Sequence, residues 1–308
     1  MKAMLAALLL AAGALHASDY SQDYKALKEK VGKENMDKTL ADWRKLDPGN
    51  PDAWIHSANW AMEQADGIAI RSKKGPLLPE GEYKAELRGD QIVVLGPDGK
   101  PAADIVGDRS RVGIAQAAAY LSAALKKWPY RADIHCGLAT VYARGEMWPA
   151  HTAALRAFVD AAHGQKGKLR WCHDEPLGEP EDVFLAEKLH SFAAEQFQME
   201  NKAADQRFFE IAQILVRACP KSPMGYNDIA VYHGLTKNWK AAQPVLEKAA
   251  SVAPDDALVW MNLGDNCVRL GKTDAGRKAY QHVIELRSDD KLVKDAESKL
   301  SAMDKPKQ

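Results

Sequence analysis

The sequence predicts an all-α chain, a solenoid of about six stacked helix pairs, and three observations carry that prediction. Apolar and small residues recur at three- and four-residue steps through most of the chain, which is the spacing of one buried helix face. Two stretches repeat the same pattern 34 residues apart: Tyr226, Ile229 and Ala230 precede Trp260, Leu263 and Gly264, and Ala242, Leu246 and Ala249 precede Gly276, Tyr280 and Val283. Turn residues such as Gly145, Pro220 and Gly271 close the helical stretches.

Composition agrees with a folded chain. Hydrophobic residues make up 46% and charged residues 27%, so there is enough apolar surface to bury and no sign of broad disorder. Lys+Arg and Asp+Glu are 42 each, which gives no basic field for nucleic acid and no acidic excess. Met1 and Lys2, followed by an apolar run to Leu15, read as a signal peptide over 1–17, cleaved after Ala17. Cleavage after Ala14, with Ala12 two residues before it, is the alternative. A membrane anchor needs about 20 apolar residues, more than this run provides. The mature chain, 18–308, is therefore expected in the periplasm or outside the cell, with no membrane span.

In order, residues 20–46 carry one helical pattern through Tyr24, Leu27, Val31, Met36, Leu40, Trp43 and Leu46, stopped by Asp47, Pro48 and Gly49. Pro51 opens the next helix, as proline does where its missing donor costs nothing, and Trp54, Ala58 and Ala61 face inward. The character changes over 67–108, where β-prone runs at 83–87 and 91–95 flank Arg88, Gly89 and Asp90, and 102–106 offers a third short strand. This segment reads as a small β-hairpin or meander inserted between two helices of one pair. The second helix of that pair follows at 111–128. Residues 132–144 and 149–163 form the next pair, 164–180 a long loop, and 181–199 with 203–218 a less regular pair. Residues 223–256 and 257–290 are the clearest repeats, and 291–303 is a capping helix that covers the last apolar face.

The spacing of Trp260, Leu263, Gly264 and Cys267, followed by Gly276, Tyr280 and Val283, resembles the tetratricopeptide repeat. The whole is thus similar to a TPR-like α-solenoid with a small β-hairpin insertion, and resembles exported bacterial proteins of that shape. The resemblance implies a protein-interaction scaffold that takes a peptide or protein partner on the concave face. The first helices would line that face, through Met224, Asn227, Val231, Leu258, Met261, Asp265 and Arg269. Some members hold a partner's terminal carboxylate with Lys and Asn. Asn227 and Asn262 match, but Val231 and Asp265 stand where polar or basic groups are wanted.

No Gly-rich phosphate loop, nucleophile elbow or HExxH spacing is present, so no catalytic set, cofactor or metal site is assigned and no enzyme activity is expected. The alternative reading is a metal-binding protein or enzyme centred on Cys172, His173, Asp174 and Glu175, with His135, Cys136 and His163 as added ligands. The competing reading of that segment is a loop anchored by Trp171 that covers the helices. The four cysteines allow a Cys136 to Cys172 bridge, but buried thiols are favoured. A third reading uses the β insertion as an edge for pairing with another protein. Oligomeric state is not legible.

Overall fold

The structure, a computed structural model, describes residues 19–69, 84–88, 91–95, 109–165 and 167–304. The signal segment and the proposed third strand at 102–106 lie outside them. The described residues form thirteen α-helices and one strand pair, in two compact units that divide between Glu181 and Asp182.

The first unit holds α1 (Asp19–Val31), α2 (Met36–Leu46), α3 (Pro51–Ala69), β1 (Lys84–Arg88), β2 (Gln91–Leu95), α4 (Arg109–Lys127), α5 (Ala132–Arg144) and α6 (Trp148–Gly164). The single pattern expected over 20–46 is two helices. Gly32 takes φ 81°, a left-handed backbone that ends α1, and a short 3-10 turn over Lys33–Asn35 leads into α2. Tyr24, Met36, Leu40 and Trp60 then form one buried cluster that ties α1 and α2 to α3. β1 and β2 pair antiparallel, with Lys84 opposite Leu95 and Arg88 opposite Gln91, and lie against α4. Although the strands separate them in sequence, α3 and α4 pack together as one helix pair.

The second unit holds α7 (Glu181–Gln198), α8 (Lys202–Ala218), α9 (Pro223–Leu235), α10 (Trp239–Val252), α11 (Ala257–Arg269), α12 (Thr273–Leu286) and α13 (Asp290–Met303). Here the repeat is visible as geometry: α9 and α11 are 13 residues each and α10 and α12 are 14 each, and each pair starts 34 positions apart. This is a tetratricopeptide-like architecture. Side chains cap the helix starts, Asn201, Ser222, Asn238, Asp256 and Asp289 each accepting from a first-turn N–H.

The close approach expected at Gly264 and Gly276 is present. A Cβ on Gly276 would sit 3.2 Å from the Gly264 carbonyl oxygen, and one on Gly264 would sit 2.7 Å from Tyr280 Cδ1. Trp260 is only half-buried, its Nε1 donating to the Pro254 carbonyl at 2.7 Å while His282 lies against its ring. Its neighbours Val259 and Met261 are the fully inward residues.

Candidate binding groove

In the first unit, α3 and α5 are the first helices of successive pairs, so the valley between them is open to whatever the helices expose there. Ile55, Ala58 and Met62 from α3 and Ile134 and Val141 from α5 give it apolar walls, and Leu121 of α4 closes the floor. The space has a volume of about 410 Å³, within the range of about 300–1,000 Å³ usual for ligand clefts. Asn59 on α3 and Thr140 on α5 add uncharged donors and acceptors at its surface.

One end is walled by the segment after α6, and the wall is docked on α5 by backbone pairing. Ala132 N–H donates to the Arg170 carbonyl at 2.9 Å, and Arg170 N–H donates to the Tyr130 carbonyl at 3.0 Å. Glu181 accepts from the N–H groups of Gly167 and Leu169 at 3.0 and 3.2 Å. Leu169 and Cys172 are thereby turned inward, and Trp171 and Cys172 face the groove. The expected loop is thus an ordered wall at its centre. His173 and Asp174 both take positive φ, 56° and 58°, a costly backbone for residues with a Cβ.

A buried charge holds this bend. The Arg131 guanidinium, fully inaccessible, donates to both carboxylate oxygens of Asp133 at 2.8 and 2.9 Å and to Asp174 at 3.3 Å. A cation taken out of water in this way is tolerable only with such pairing. His135 lies beside it, with Nε2 3.0 Å from the Pro129 carbonyl and its ring stacked on Phe158. Burial pulls the His135 pKa down against the Pro129 carbonyl and the Asp133 charge, so the imidazole is neutral at pH 7.

The opposite end carries Glu63. Tyr24 donates to it at 2.8 Å, Lys28 donates to both its oxygens at 3.0 and 2.9 Å, and Lys33 stands 3.9 Å away. Burial alone would raise the Glu63 carboxyl, but the Lys28 and Tyr24 hydrogen bonds and the two lysine charges outweigh it and hold the pKa below the ordinary range. Arg144, at the last turn of α5, also lines the groove and has an interaction partner of its own.

The groove residues expected from sequence lie in the second unit and are dispersed in role. Met261 is 4% exposed and packs with Tyr280, Val283 and Ala296 under α13. Asp265 accepts from Tyr280 at 2.6 Å and from Lys299 at 2.6 and 2.8 Å. Asn227 is buried and accepts from Asn262 at 3.3 Å. Arg269 is exposed, its guanidinium 4.6 Å above the Trp239 ring. Met224, Val231 and Leu258 are half-buried. The capping helix therefore covers Met261, which corrects its reading as a groove residue: α13 needs an apolar bed, and Met261 supplies part of it, while the Asp265 side chain stays 42% exposed and is tied to α13 through Lys299.

The Cys172, His173, Asp174 and Glu175 cluster is also taken apart. Cys172 points in, His173 lies 3.8 Å from Asp52, Asp174 serves Arg131, and Glu175 is exposed. Among the described residues no group of three His, Cys, Asp or Glu side chains converges on a metal-sized site. All four cysteines are thiols, Cys136 half-buried and the others buried, and burial with the nearby Asp182 charge pushes the Cys219 thiol up to about 11.

Sequence reasoning missed the α3–α5 groove because the 67–108 segment separates the two helices of the first pair and breaks the 34-residue register. The inward stripe of Trp54, Ala58 and Ala61 was the available signal, since the side chains one step around the helix from it, Ile55, Asn59 and Met62, are those that line the valley.

No protein-family model matches the sequence, and no curated protein matches it. Among solved structures the chain is similar to MamA, at 15% identity over 63% of this chain and 97% of that one, with a TM-score of 0.35. It is similar to a thermophilic TPR protein of Thermus thermophilus, at 14% identity over 64% of this chain and 94% of that one, TM-score 0.34. It is also similar to YrrB, a TPR protein with an unusual peptide-binding site, at 14% identity over 64% of this chain and 88% of that one, TM-score 0.34.

Proposed function

We propose that this tetratricopeptide-like chain is a non-catalytic interaction scaffold, working after export, that holds a peptide segment of a protein partner in the groove between α3 and α5. The observation that supports the reading is a cleft of about 410 Å³ with apolar walls, uncharged hydrogen-bonding groups at its surface and an ordered end wall. Extended peptides are recognised by such a combination: apolar pockets select side chains while polar groups hold the main chain. The concave site foreseen on the second unit gives way to this one because α13 occupies part of it.

The test is to pan a random heptapeptide display library on residues 18–308 and measure the selected peptides by calorimetry. Thr140→Trp places an indole on the groove surface and should weaken those peptides by at least about tenfold, as blocking a central contact does. Ala157→Trp, on the exposed side of α6, should leave them unchanged. Selected peptides that bind all three proteins equally would place the site elsewhere.

A further inference from the structure

Resting on that reading, we infer that the groove selects an uncharged, apolar stretch of its partner and discriminates against acidic and basic segments alike. Two carboxylates line the groove, and neither is available. Both oxygens of Asp133 are taken by Arg131 at 2.8 and 2.9 Å. Glu63 is held by Lys28 and Tyr24, with Lys33 nearby. Arg144 also has a partner. A cationic ligand side chain that took Asp133 would have to break a bidentate pair, leaving the buried Arg131 with only its longer bond to Asp174. An anionic one would meet two carboxylates, while Lys28 and Arg131 are held by those carboxylates. A neutral side chain meets neither cost and rests against the apolar wall of Ile55, Met62, Ile134, Val141 and Trp171, the first four of which are at most 8% exposed.

Binding should accordingly be nearly independent of salt, since no counterions are exchanged when it forms. The peptides selected above, those lost on Thr140→Trp, should be depleted in Asp, Glu, Lys and Arg, and their Kd should change less than about twofold between about 50 mM and about 500 mM NaCl. Glu63→Gln supplies the converse. Glu63 is one-third exposed and its amide replacement keeps a hydrogen-bond acceptor for Tyr24, so the fold should stand. Lys28 and Lys33 then lose their carboxylate, and the same library panned on the variant should return acidic peptides whose affinity falls with salt. Acidic or basic peptides selected by the wild-type groove, a steep salt dependence, or an unchanged selection by Glu63→Gln would each overturn the inference while leaving a peptide-binding groove standing. Failure of Thr140→Trp to weaken any selected peptide would instead remove the groove reading itself.

Discussion

His190 on α7 and Asp228 on α9 are a buried pair, with Nδ1 donating to Oδ2 at 2.9 Å. Burial lowers the imidazole, but the hydrogen bond and charge of Asp228, with Glu187, more than reverse this and raise it. Burial raises the Asp228 carboxyl despite its bond to His190. Both folded values therefore lie above the unfolded ones, so the folded chain binds more protons, and stability from the pair is lost as pH rises through the raised values. The stability advantage of wild type over the double variant His190→Gln, Asp228→Asn should shrink between about pH 5 and about pH 8. Urea midpoints measured across that range check it; an advantage that grows with pH would contradict the assignment. The glycines act at the same scale. Gly264 is tolerated only without a Cβ because the Tyr280 ring is fixed by its hydroxyl bond to Asp265, so neither side can give.

Among the elements, α13 and the wall after α6 show how a helix array finishes its surfaces. The last pair, α11 and α12, exposes an apolar face with no following repeat, and Leu292, Ala296 and Leu300 of α13 cover it. Met261 lies at the centre of that contact. Met261→Ala should lower stability by about 2–5 kcal/mol, the range for deleting a buried large side chain, and should leave the affinity of groove-selected peptides unchanged. Equal stability, or lost peptide binding, would return Met261 to the role of a surface contact. The helix pairs and the cap were legible from periodicity, since burial of one face imposes it. The groove was not, because side chains beside the packing stripe are exposed or covered according to what the next element does. Met261 sits at the same kind of position as Ile55, and both are buried; α13 lies over the first, while the second edges the groove space. The wall was half legible: Trp171 marked an anchor, but nothing in the residue order indicated that Arg131 would hold Asp174.

For the whole molecule, two units of helix pairs account for the described chain, and among the described residues no helix is long and apolar enough to cross a membrane. The export that we propose rests on residues 1–17, outside the described part. Expressed with its own leader in a bacterial host, the protein should accumulate outside the cytoplasm beginning at Ser18, as intact mass and N-terminal sequencing would show. A cytoplasmic product retaining Met1 would exclude it. The sequence by itself determined the all-α class, the 34-residue period, the helix boundaries from Ala132 onward to within about two residues and the need for a cap, because local propensity and one-sided burial write themselves into residue spacing. Only the tertiary structure decided which face stays open. That depends on contacts between residues far apart in the chain, Lys28 with Glu63, Arg131 with Asp174 and Lys299 with Asp265, whose pairing energy is set by burial and distance and leaves no period to read.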